Sequence, residues 1–273
     1  MSTPFYVSPE QLMKDRAEFA RKGIARGRSV LVLRYQDGII LLAENPSSTL
    51  HKIAEIYDRI GFAAVGKYNE FETLRQAGVR YADLRGYSYD RADVTARGLT
   101  NAYAQTLAAV FTTESKPFEV EIVVAELGRV AADDRLYRLS YDGSVADEND
   151  HVAIGGQAEA ISQQLAAVST ADKPLAEAFA IGVRALSPTG GPLLPVANLE
   201  AAALDRTTGS HRTFRRLSDP AMAELLTTAQ PGDGDRQQPA EGGGQPGGPV
   251  EQPGKPGKPG PADGRADSAG ADS

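Results

Sequence analysis

The chain has 273 residues, 41% of them hydrophobic, with 29 Lys and Arg against 36 Asp and Glu for a formal net charge of −7; this suffices for one substantial core and argues against a nucleic-acid binder relying on phosphate neutralisation. It has no Cys, which excludes disulfides, thiolate metal sites and a cysteine nucleophile, and His51, His151 and His211 lie so far apart in sequence that nothing points to a histidine metal centre or to a cofactor. The first residues, MSTPFYVSPEQLMKDRAEFARKG, lack a secretory pattern and no run approaches the roughly 18 apolar residues of a membrane span, so a cytoplasmic protein is expected.

In chain order, the first predicted element is a helix. Ser8 can cap it, Pro9 fits its first position, Gln11 completes a capping box, and Leu12, Met13, Ala17, Phe19, Ala20 and Ile24 recur at helical spacing before Gly27. Leu31, Leu33 and Tyr35 then alternate up to Asp37-Gly38, and Ile40 and Leu42 alternate after it, which predicts a β-hairpin. A strand is expected at about 61–66, then a helix carrying Phe71 and Leu74 that closes near Gly78, then a longer one carrying Val94, Leu99, Tyr103, Leu107 and Phe111. Strands follow at Val120–Val124, at Leu136–Tyr141 before a turn at Asp142-Gly143, and at Val152–Ile154 before Gly155-Gly156. That glycine pair could serve an anion at a helix start, and reads more simply as a strand-to-helix turn. Helices over about 157–168 and 172–186, strands near 199–204 and 212–217, and a short helix capped by Ser218 complete the pattern. Residues 230–273 are mostly Gly, Pro, Asp, Gln and Ser and are expected to be a disordered tail, leaving one domain over 8–229. Strand runs alternating with helix pairs indicate an α+β sandwich of stacked sheets flanked by helices.

Several segments, in order, resemble proteasome α-subunits. SPEQLMKDRAEFARKGIARG is similar to the family's Ser-Pro helix ending in a basic, Gly-terminated stretch; RSVLVLRYQDGIILLAEN resembles its first hairpin, and LHKIAEIYDRIGFAAVGKYNEFETLR the block after it. KPFEVEIVVAELG and LYRLSYDGSVADENDHVAIGG resemble the later strands, and NPSSTLHKIAEIYDRIGFAAVGKYNEF with RGYSYDRADVT is most similar to the actinobacterial branch. The chain departs from the family in lacking the N-terminal Tyr-Asp-Arg stretch and in having Phe19 where many relatives have Tyr. The resemblance implies a four-layer αββα sandwich of the Ntn-hydrolase type and homo-heptameric outer rings stacked on β-subunit rings. It further implies passage of protein substrates through a gate, and a hexameric AAA ATPase activator that in this branch delivers pupylated proteins.

It also implies roles for particular residues. Lys52 would bind the C-terminal carboxylate of an activator tail in a pocket between neighbouring subunits, where a cation in a partly apolar cleft is what such a group requires; without the resemblance it would read as a solvated Lys beside Glu55. Gly27 would line the same pocket with its backbone, and Gly66 and Lys67 would lie near its third wall. Residues 1–7, chiefly Pro4, Phe5, Tyr6 and Val7, would form the gate. The stretch Arg85–Arg91, RGYSYDR, suits either a subunit interface or an exposed loop. Catalysis in the sibling β-subunits uses a Thr freed as the N-terminal residue. Here no Gly-Thr bond exists and the hairpin opens on Gly27-Arg28-Ser29, with Glu44 and Lys52 about where a β-subunit has its acid and Lys. A non-catalytic subunit is therefore expected, the alternative being an autoprocessed stand-alone Ntn-type amidohydrolase.

Overall fold

The computed structural model describes residues 8–229; the expected gate segment and tail lie outside them. Helix α1 (Pro9–Ala25) begins as its sequence dictates, with Ser8 Oγ accepting from Gln11 N at 3.2 Å and Pro9 in the first turn. Strands β1 (Val30–Tyr35), β2 (Gly38–Glu44), β3 (Ile53–Tyr57) and β4 (Ile60–Gly66) follow as two hairpins. Helices α2 (Tyr68–Ser88) and α3 (Ala96–Thr113) lead to β5 (Val120–Glu126), β6 (Arg135–Leu139), β7 (Val145–Glu148) and β8 (His151–Ile154). Then come α4 (Ala158–Leu165), α5 (Leu175–Leu186), β9 (Leu199–Asp205), β10 (Phe214–Arg216) and α6 (Asp219–Ala229).

The strands form two antiparallel five-stranded sheets, β10-β9-β2-β1-β8 and β3-β4-β5-β6-β7. Their inner faces pack together through Val30, Val32, Ile39 and Leu41 on one side and Ile53, Ala63, Val65, Val123 and Ala125 on the other. The outer face of the first sheet, with Leu31, Leu33, Ile40 and Leu42, is covered by α4, α5 and α6; that of the second, with Phe62, Ile122 and Val124, by α2 and α3. This is the four-layer αββα sandwich. It explains why β2 is apolar at nearly every position instead of alternating: one face meets a sheet, the other helices.

Several boundaries differ from the sequence reading. α2 runs on through Gly78, which is buried mid-helix because a Cβ there would collide with the Tyr103 hydroxyl of α3; the glycine is a packing residue and not a stop. Val94 lies before α3, whose cap is Thr95 Oγ1 accepting from Gly98 N at 3.2 Å. α5 starts at Leu175 since Pro174 holds the preceding backbone extended. Strand β7 has the polar sequence VADE at a sheet edge and carries little apolar signal.

Candidate functional site

α1 crosses one end of the sandwich, against β4 and β5. Arg16 holds it there, donating to the carbonyls of Val110 (3.3 Å) and Glu114 at the C-terminus of α3, where a cation also complements the helix dipole. Ala20 and Ile24 are buried against the sandwich, while Leu12, Met13 and Phe19 remain exposed.

Beyond α1 the chain enters β1 through Gly27, Arg28 and Ser29. Gly27 N donates to Ile24 O at 2.8 Å, and a Cβ on Gly27 would collide with Val65 and approach Gly66 N to 3.4 Å. Gly66 ends β4 with φ +115°, a conformation in which a Cβ would collide with the Glu119 carbonyl. Lys52 comes from the loop before β3. Its half-buried ammonium donates to Arg28 O (2.7 Å) and Glu44 O (3.1 Å), so it is held at the head of the first hairpin and does not lie solvated beside Glu55, which instead takes Arg212 (2.6–2.9 Å). Burial lowers the Lys52 pKa to about 8, with Glu44 acting in the opposite direction. The Arg28 guanidinium reaches the Glu44 carboxylate at 3.4 Å.

Gly27 thus lies close to Gly66, and Lys52 reaches the carbonyl of the residue after Gly27, Arg28. Lys67 follows Gly66 in the chain, but its exposed ammonium turns to Glu70 (3.9 Å), which also accepts from Lys116 (2.7 Å). The stretch Arg85–Arg91 forms the exposed end of α2 and the turn after it, with the side chains of Tyr87 and Tyr89 at 92% and 74% exposure.

Sequence reading missed the group that fixes Lys52. Glu200, 7% exposed near the start of β9, accepts from Lys52 N (2.9 Å), Ile53 N (3.2 Å), Asn45 Nδ2 (2.8 Å) and Arg216 Nη1 (2.5 Å), with His51 Nδ1 at 3.2 Å. The carboxylate ties the Lys52 backbone to β9, across the gap between the sheets. The only signal for it was a lone acid inside the apolar run LEAAAL. Among the described residues, no group of three or more His, Cys, Asp or Glu could hold a metal, and no helix is long and apolar enough to cross a membrane.

A profile of the proteasome subunit family matches residues 24–190. The chain belongs to that family. The "Proteasome subunit alpha" of Kineococcus radiotolerans is 64% identical over 234 residues, covering 83% of this chain and 98% of that protein. The protein of the same name from Sanguibacter keddieii is 58% identical over 249 residues, covering 89% and 96%, and that from Thermomonospora curvata is 60% identical over 227 residues, covering 83% and 98%. These actinobacterial likenesses make the chain a proteasome α-type subunit of the 20S core, and the two packed sheets between helices are the fold expected of one.

Proposed function

We propose that this α-subunit is non-catalytic: it forms the homo-heptameric outer rings of the core particle in the cytoplasm, gates substrate passage with residues 1–7, and receives the C-terminal tail of a hexameric AAA ATPase. The proteins it admits would include pupylated ones, and the proteolytic sites would be on the β-subunits. The observation that carries the docking role is the Lys52 ammonium, half-buried and fixed by Arg28 O and Glu44 O beside two glycines that cannot carry side chains. An ammonium has three donors, and two are spent on these carbonyls. The third suits the single carboxylate at the end of an incoming chain, in a partly desolvated place where a charge-assisted bond is strong. Gly27, Gly66 and, at the margin, Lys67 supply the surrounding walls.

Support for a non-catalytic subunit comes from Ser29, where a β-type hairpin would place its nucleophile. Its amine is part of an intact peptide behind α1, its hydroxyl accepts from Gln157 N at 3.1 Å, and Lys52 is turned onto the preceding carbonyl. An autoprocessed amidohydrolase would instead yield a shortened chain with a new Ser or Thr terminus, so the intact mass should be that of the full chain, with or without Met1.

The docking role is tested by Lys52→Ala in particles assembled with β-subunits. Loss of one charge-assisted bond, about 1.5–3 kcal/mol, should weaken stimulation by the ATPase roughly 10- to 100-fold in apparent affinity, with stimulation measured relative to each particle's own basal peptide hydrolysis. Undiminished stimulation would remove Lys52 from the docking site.

A further inference from the structure

The glycine pair after β8 does something the docking reading does not use. Three successive backbone N–H groups of this turn are all engaged, one by β5 and two by the link between α1 and β1. Gly155 N donates to Glu121 Oε2 of β5 at 3.4 Å, Gly156 N to Gly27 O at 3.1 Å, and Gln157 N to Ser29 Oγ at 3.1 Å. With these donors engaged inside the protein, the turn is not an anion cradle. The steric requirement is equally specific. Gly155 has φ +98°, and a Cβ there would lie 3.1 Å from both Ser29 Cα and Val65 Cγ1. A Cβ on Gly156 would collide with the Ala25 carbonyl in the last turn of α1. The end of α1 therefore rests backbone to backbone on this turn, with no side chain between them.

We propose that Gly155, Gly156 and Gln157 are positioning residues that set where α1 ends, and hence where Arg28 O, which accepts from Lys52, stands. Lys52, through Arg28 O, and Gly156, through Gly27 O, act on adjacent peptide units. The turn and its helix α4 thus belong to the same mechanical unit as the docking site, although no atom of the turn is needed to bind a tail. The link from α1 to residues 1–7 rests on the gating reading proposed above; the placement of α1 does not.

Two variants test this in particles assembled with β-subunits: Gly156→Ala, which pushes on Ala25 O, and Ser29→Ala, which removes the acceptor of Gln157 N without adding bulk. Each is made in the full-length subunit and in one lacking residues 1–7. Two readouts are taken, amide hydrogen exchange over residues 24–28 and basal hydrolysis of a short fluorogenic peptide. Faster exchange at 24–28 is expected in both variants. Hydrolysis should rise severalfold in full-length Gly156→Ala particles and stay unchanged in the truncated background, a pattern that general damage, lowering both, would not give. Unchanged exchange at 24–28 in both variants overturns the proposal. So does unchanged hydrolysis in full-length Gly156→Ala particles when truncation alone raises it. If truncation itself leaves hydrolysis unchanged, the gating reading falls, and the exchange result alone decides whether the turn positions α1.

Discussion

Glu200 and Lys52 illustrate opposite uses of buried charge. Glu200 is surrounded by donors from β3, the loop before it and β10, so its desolvation is offset by bonds that also fix the loop carrying Lys52. Glu200→Ala leaves the buried Asn45 Nδ2 and Ile53 N without this acceptor and should destabilise the subunit by about 1–3 kcal/mol, measured by thermal or denaturant unfolding. Glu200→Gln keeps an acceptor and should cost less. Lys52 is held by neutral carbonyls, and its burial favours the amine. Its pKa falls from 10.5 in the unfolded chain to about 8 in the folded one. Between those values the unfolded chain binds more protons, so Lys52's unfavourable contribution to stability is present below about pH 8 and relieved as pH rises. Its attraction for a carboxylate runs the other way. ATPase stimulation should therefore decline between about pH 7 and 9, and the decline should flatten in Lys52→Arg, whose guanidinium stays charged. At this scale the sequence was only partly legible. Lys52 and Gly27 could be matched to the family, but what fixes Lys52 is a carboxylate 148 residues away, and no local pattern announces such a partner.

Among the elements, α2 and α3 show how packing overrides a local rule. Gly78 has the look of a helix stop, yet α2 continues because the Tyr103 ring of α3 needs the space. Gly→Ala in a helix would ordinarily gain about 1 kcal/mol from propensity. Here Gly78→Ala should instead destabilise by about 1–3 kcal/mol through overpacking. Tyr103→Phe should restore much of the loss, since it removes the hydroxyl a Cβ would strike, and that hydroxyl is buried without a hydrogen-bond partner. A double-mutant unfolding cycle measures the coupling; additive losses would refute this account of the contact. Elements with local chemistry were readable: the Ser8 cap, the Asp37-Gly38 hairpin and the Asp142-Gly143 turn, where Gly143 has φ +84°. Those defined by tertiary context were not. β7 is polar, and the double-sided burial of β1 and β2 follows only from what covers them.

For the molecule as a whole, the succession of strand runs and helix pairs pointed to stacked sheets with helical flanks. The four-layer arrangement came from the family resemblance, because sheet order depends on pairings such as β2 with β9 that join distant segments. The link into the first hairpin bears on the proposed role: Gln157 N donates to Ser29 Oγ, and Lys52 donates to the carbonyl just before it, that of Arg28. The most direct test compares short-peptide hydrolysis by this chain alone, by particles assembled with its β-subunits, and by the same particles lacking residues 1–7 of this chain. The account predicts no activity alone, modest activity in the particle and a clear rise after truncation. Hydrolysis by the chain alone that survives stringent purification would contradict it.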